Sequence, residues 1–259
     1  GEGEIDEAPM LYIGEILGKQ NGPDIDIAVD PLEGTNFAAN NLPGALSVIA
    51  ASYKNNLLNA PETYMNKIAY GSNIEKGVID LDYDFSKNIK NLADYKNKKL
   101  EEITICILDR PRHKEIIEEA KRLKLKIKLI SDGDVSGALL ITDEKYKVDL
   151  FLGIGGGPEG VLAACALDAY NCGFQGKFIF DDDISKKRAK DMGIVDLKKK
   201  YEIKDIVKGD SIFCATGITN GDLVKGIETS GDYFITDTFV THKSKKIKKN
   251  IKEKVRKIV

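Results

Sequence analysis

The chain has 259 residues, with 39 Lys and Arg against 41 Asp and Glu, for a formal net charge of −2. That balance excludes a nucleic-acid binder working through bulk positive charge, and 31% charged with 42% hydrophobic residues excludes a disordered chain. No apolar run approaches the roughly 18 residues of a membrane span, and the length suits one large domain or two modest ones.

The chain opens on an acidic cluster, Gly1-Glu2-Gly3-Glu4-Ile5-Asp6-Glu7. It reads either as a solvated terminus or as a source of metal-binding carboxylates. The first residue is not Met and no charged-then-apolar leader follows, so a fragment of a longer chain is expected. Residues 25–29 read as a strand that ends in Asp30-Pro31-Leu32-Glu33-Gly34-Thr35. Pro31, with its fixed φ and no N–H, is expected to stop the ladder there. Two carboxylates three residues apart on a tight turn can converge on a hard divalent cation. Gly34 and Thr35 add N–H groups and a hydroxyl where a phosphate could bind. The alternative is an ordinary acidic loop with a helix cap.

Residues 45–52 are apolar and small, whereas residues 53–100 are rich in Asn, Lys and Asp with weak periodicity. The boundary between an N-terminal lobe, 1–100, and a C-terminal α/β lobe, 101–259, is expected near Lys96-Asn97-Lys98-Lys99. From there strand and helix patterns alternate. Strands are expected at 103–109, 127–131, 148–154, 177–180 and 211–216, and a last one at 233–241. Helices are expected at 113–124, from 135, and at 159–170. Such alternation reads as α/β with parallel pairing, and ligands of such sheets sit at the strand ends.

Those ends carry chemistry. Arg110-Pro111-Arg112-His113 offers two guanidinium groups for a phosphate, or simply two surface arginines, with His113 at a helix start. Asp132-Gly133-Asp134 would bind sugar hydroxyls or be only a turn. Gly155-Gly156-Gly157-Pro158-Glu159-Gly160 fits a dinucleotide-binding pattern formally, but Glu159 would repel a pyrophosphate unless a cation stood between them. Cys106, Cys165, Cys172 and Cys214 form no CxxC pair and sit in apolar contexts, which suits a reducing compartment, the cytoplasm by default. The lysine-rich run 243–257 reads as a solvated terminal helix.

Taken together and in order, the motifs resemble one family. They are Gly-Glu-Gly-Glu-Ile-Asp-Glu at 1–7, Asp-Pro-Leu-Glu-Gly-Thr at 30–35, Asn-Ala-Pro-Glu-Thr-Tyr-Met at 59–65, Arg-Pro-Arg-His at 110–113, Asp-Gly-Asp at 132–134, Gly-Gly-Gly-Pro-Glu-Gly at 155–160 and Ala-Thr-Gly-Ile-Thr-Asn-Gly-Asp-Leu at 215–223. The chain resembles the class II fructose-1,6-bisphosphatases of the lithium-sensitive, metal-dependent sugar and inositol phosphatase superfamily.

The resemblance implies an α/β, layered αβαβα sandwich with two lobes, and a homo-oligomer acting on a small sugar bisphosphate. It implies Mn²⁺ or Mg²⁺ held by Asp30, Glu33, Glu159 and Glu2 in preference to Glu4. Thr35, with Glu33, would orient and activate the attacking water. Substrate contacts would come from Glu33, Gly34, Thr35, Tyr64, Arg110, Pro111, Arg112, Asp132, Gly133, Asp134 and Gly156. The implied reaction is hydrolysis of the 1-phosphate of fructose 1,6-bisphosphate, a step of gluconeogenesis. Sedoheptulose 1,7-bisphosphate is the rival substrate, and a non-catalytic sugar-phosphate binder is the rival class. In the family a helical segment with an acidic residue precedes Gly-Glu-Gly-Glu, so the chain is expected to lack part of the metal site.

Overall fold

The computed structural model describes residues 10–19 and 21–257. Two six-stranded sheets organise the fold. The first contains β1 (Ile25–Glu33), β2 (Leu46–Tyr53), β9 (Ser211–Gly217), β10 (Glu228–Ser230), β11 (Tyr233–His242) and β12 (Ile247–Arg256), and its pairs are antiparallel. The second runs in the order β5 (Lys126–Ile130), β4 (Thr104–Leu108), β6 (Leu150–Gly156), β3 (Tyr64–Tyr70), β7 (Gly173–Phe178) and β8 (Tyr201–Glu202). Parallel pairing is confined to β5, β4 and β6. The remaining pairs, β3 with β6 and β7 and β7 with β8, are antiparallel. The sheet is therefore mixed, because the polar stretch before residue 100 supplies β3 to its centre.

Helix α5 (Gly157–Ala169) lies between the sheets. Its Val-Leu-Ala-Ala-Cys-Ala-Leu run is apolar on every face, as a helix enclosed on all sides requires, and Val161 through Leu167 are all buried. Short α4 (Asp134–Leu139) packs beside it. Leu46, Val48, Phe213 and Phe239 from the first sheet, and Met65, Phe151 and Phe174 from the second, close this main core. A second core fills the outer face of the second sheet, where α2 (Phe85–Lys96) and α3 (Lys114–Arg122) set Ile89, Leu92, Ile117 and Ala120 against Ile68, Ile105, Ile107 and Leu152. Among the described residues the layers run sheet, helices, sheet, helices, an α+β sandwich of the expected class. Helices α1 (Thr35–Ala39), α6 (Asp183–Asp191) and α7 (Ile203–Ile206) are short connectors, and no helix of the described residues is long and apolar enough to cross a membrane.

Two local expectations are corrected. The β1 ladder does not stop at Pro31: Asp30 pairs with Val48 and Glu33 with Leu46, three residues against two. One extra residue forms a bulge, which absorbs the proline and bends the strand. The lysine-rich run is strand β12, not a helix. Ile247, Ile251 and Val255 are four apart, a spacing that fits either structure, and pairing with the whole of β11 settles it as a strand. In the sheets themselves, β2 pairs with β9, and β3 with β6 and β7.

Candidate active site

A cleft of about 340 Å³ opens where the bulged end of β1 meets the carboxyl ends of β4, β5 and β6. Its walls include Asp30, Glu33, Gly34, Thr35, Arg110, Arg112, Asp132, Gly133, Asp134, Gly156 and Glu159. The switch-point logic of parallel strands places the last seven of these, since chain leaving the strand ends has backbone groups and side chains free to face a ligand.

Glu33 is 3% exposed, and its Oε1 accepts a hydrogen bond from the Val135 N–H at 2.6 Å. Its Oε2 is buried with no partner. Burial pushes the Glu33 carboxyl well above the ordinary carboxylate range, and the charges of Asp134, Asp30 and Glu159 push it further. Glu159 stands in the first turn of α5, after Pro158, and also has a buried, unpartnered Oε2. Burial, with the Asp134 charge, raises it to about 7, against the opposing pull of Lys67.

The glycines make room for these groups. A Cβ on Gly156 would lie 1.9 Å from Glu159 Oε2, and one on Gly155 would lie 2.0 Å from Asp134 Oδ2. Their bare backbone admits two carboxylates, and β6 runs to Gly156 with α5 starting at Gly157, leaving no loop to wrap a pyrophosphate. The dinucleotide pattern is thereby explained otherwise. Gly34, with φ +78°, caps α1 and turns the chain so that exposed Thr35 reaches the cleft.

On the opposite wall a 3-10 turn at Pro111–His113 carries the arginines. Arg110 Nη2 donates to Asp132 Oδ1 at 3.2 Å. Arg112 Nε donates to the Ile154 carbonyl at 2.9 Å, and its guanidinium stacks 4.8 Å from the Tyr64 ring centroid. Tyr64 and Pro111 are outside the cleft wall itself. Tyr64 supports Arg112 from below, and Pro111 fixes the turn. The Asp132 carboxylate accepts the Asn36 N–H at 3.2 Å, tying this wall to α1. Glu2 lies outside the described residues.

Two residues went unrecognised in the sequence as parts of this site. Lys67, in the middle of β3, is 2% exposed and bonds Asp134 and the Gly156 carbonyl. Its signal was present: it shares the inward phase of β3 with Met65 and Ala69, where a lysine needs a partner. His113 was placed only as a helix start. It is fully buried, with Nδ1 2.7 Å from the Leu108 carbonyl and Nε2 accepting the Ile154 N–H at 2.7 Å. It thus fastens β6 to the turn that bears the arginines.

The donor chemistry fits a divalent cation. Two buried carboxylate oxygens lack partners in an excess of negative charge, as hard-cation ligands do before binding. Among the described residues no three such side chains are already drawn into a cage. A carboxylate cluster and an arginine pair lining one cleft suit a hydrolase acting on phosphoric monoesters.

The comparisons specify the family. Residues 1–255 match the profile of the bacterial fructose-1,6-bisphosphatases, glpX-encoded. The chain is 41% identical over 254 residues to the D-fructose 1,6-bisphosphatase class 2/sedoheptulose 1,7-bisphosphatase of Prochlorococcus marinus strain MIT 9301, covering 93% of this chain and 76% of that one. It is 40% identical over 263 residues to the fructose-1,6-bisphosphatase class 2 of Haemophilus influenzae, covering 96% and 79%. The chain belongs to the class 2 fructose-1,6-bisphosphatase family.

Proposed function

We propose that the protein hydrolyses the 1-phosphate of fructose 1,6-bisphosphate, releasing fructose 6-phosphate and inorganic phosphate. One observation carries the reading: the orphaned oxygens of Glu33 and Glu159 share a cleft with Arg110 and Arg112. The superfamily resemblance supports the same chemistry.

Asp30, Glu33 and Glu159, with Glu2, would hold Mn²⁺ or Mg²⁺. Divalent cations there supply charge neutralisation for the reacting phosphate and a nucleophilic water at neutral pH. Thr35 orients that water through its hydroxyl, at the start of α1 beside the Gly34 backbone. Glu33, next to Gly34 and Thr35 in the chain, would help Thr35 position that water. Asp132 and Asp134 accept hydrogen bonds from sugar hydroxyls. Arg112, flat on Tyr64, and Arg110 hold the distal phosphate, so that its binding positions the reacting one.

Sedoheptulose 1,7-bisphosphate is a second substrate on this reading, because several matched relatives carry both names. A cytoplasmic location is the accompanying proposal, supported by four unpaired cysteines of which three are buried, and a homo-oligomer is proposed on the family resemblance alone. The test is phosphate release from both bisphosphates with and without Mn²⁺, beside fructose 6-phosphate as control. Metal-dependent release from the bisphosphates is expected, and its absence overturns the proposal. Glu159→Ala should abolish turnover, and an unimpaired variant would remove Glu159 from the ligand set.

A further inference from the structure

Lys67 sits deeper than any other lysine described, and a buried ammonium is costly unless paired. It has two partners. Its Nζ donates to Asp134 Oδ2 and, at 2.7 Å, to the Gly156 carbonyl. The carboxylates of the cleft are thereby unequal. Asp134 is neutralised by an ion pair inside the fold, whereas Glu33 and Glu159 each keep an oxygen with no partner. The pair is also built in from two sides. Gly155 has no Cβ, which would collide with Asp134 Oδ2 and approach Lys67 Nζ to 3.0 Å, and the Lys67 stem packs against Gly160.

We propose that Lys67 is a positioning residue that reserves Asp134 for the sugar and withholds it from the cations, leaving Asp30, Glu33 and Glu159 as the metal donors. The inference rests on the phosphatase reading and refines it. A lysine bonded to one oxygen occupies the direction a cation would need. Its positive charge also keeps the site from binding cations more tightly than a turnover cycle can use. Without Lys67, Asp134 adds an unbalanced charge beside Glu33 and Glu159 in a poorly solvated cleft, where one added unit charge weighs heavily on a divalent ion.

The test is calorimetric titration of metal-free protein with Mn²⁺, for the wild type, Lys67→Met, Asp134→Asn and the double variant. Lys67→Met is expected to bind Mn²⁺ about tenfold or more tightly, and Asp134→Asn, which strands the ammonium beside Glu159, about tenfold or more weakly. The double variant, with a neutral pair in place of the ion pair, is expected to return to within about threefold of wild type. It also carries the test if Lys67→Met alone does not fold, since neutral replacement of a buried pair is commonly tolerated.

A purely structural role predicts weaker binding in Lys67→Met. A metal-ligand role for Asp134 predicts a double variant at least as weak as Asp134→Asn. Either result overturns the proposal. A wild type that binds no Mn²⁺ would instead overturn the phosphatase reading itself.

Discussion

Replacing Glu159 by Gln should make the metal-free protein more stable while removing its response to metal. The carboxyl is raised from 4.5 to about 7, mainly by burial and then by the Asp134 charge. A raised carboxyl contributes stability at low pH and loses it as pH rises through the folded-state value, because the native state holds the proton longer than the unfolded chain. Between pH 4.5 and 7 that amounts to about 3 kcal/mol, at 1.36 kcal/mol per unit. Gln removes the charge but leaves a buried amide to satisfy, a cost of about 1 kcal/mol or more. The net gain at pH 8 is therefore about 1–2 kcal/mol, or roughly 2–8 °C in Tm for a chain of this size. At pH 5 the gain should vanish. Saturating Mn²⁺ at 100 times its Kd would stabilise the wild type by about 2.7 kcal/mol and the variant far less. Thermal melts in chelator and in Mn²⁺, at pH 5 and pH 8, measure all four quantities. A variant less stable than wild type in chelator at pH 8, or one stabilised equally by Mn²⁺, would refute the reasoning.

Arg112→Lys loses both the stack on Tyr64 and the planar donor set that spans Ile154 and a phosphate. KM for fructose 1,6-bisphosphate should rise about 10- to 100-fold with a smaller change in kcat, read by steady-state phosphate release. His113→Gln should cost about 2–3 kcal/mol in chemical denaturation, since a fully buried ring that bridges two backbone groups is lost. Burial, with Arg112 and Arg110 nearby, depresses the His113 pKa against the pull of the Leu108 carbonyl. Its contribution is therefore complete above about pH 6.5 and is lost as pH falls below that value, so wild-type stability should drop there more steeply than that of the variant. Asp149 is pushed up by burial, but hydrogen bonds from Lys96, the Thr104 N–H and Lys98 outweigh this and hold it low. Asp149→Asn should cost about 1–3 kcal/mol at pH 7, and the difference from wild type should shrink below about pH 4 in acid titration followed by circular dichroism.

The parallel core of the second sheet was legible because β4, β5 and β6 are short β-branched runs ending in polar turns, and the helices between them carry a clear apolar stripe. The site was legible for the same reason: Arg110, Asp132 and Glu159 stand where such strands end. What was missed lies where polarity masks pattern. In α2, Phe85, Ile89 and Leu92 follow a helical spacing after the Asp84 cap, but Asn and Lys crowd the other face. In β3, Tyr-Met-Asn-Lys-Ile-Ala-Tyr alternates poorly because Lys67 occupies an inward position. The residue that hid the strand is the one that pairs with Asp134. Likewise Pro31 signals a strand's end from sequence alone, yet a bulge lets β1 continue and turns Glu33 into the cleft.

The arrangement also shows why a net charge of −2 is uninformative about the substrate. Asp30, Glu33, Asp134 and Glu159 face one region of the cleft, and Lys67 balances only one of them. Arg110 is itself engaged with Asp132. A phosphate approaching the carboxylate end therefore meets net repulsion, while the Arg112 end attracts it. On the proposed reading, cations would be needed at the first end and not at the second, which would let one cleft distinguish two phosphates of the same sugar. It would depend on the end of β1 in one sheet meeting α5, the helix that follows β6 of the other, because Glu33 lies on the strand and Glu159 on the helix.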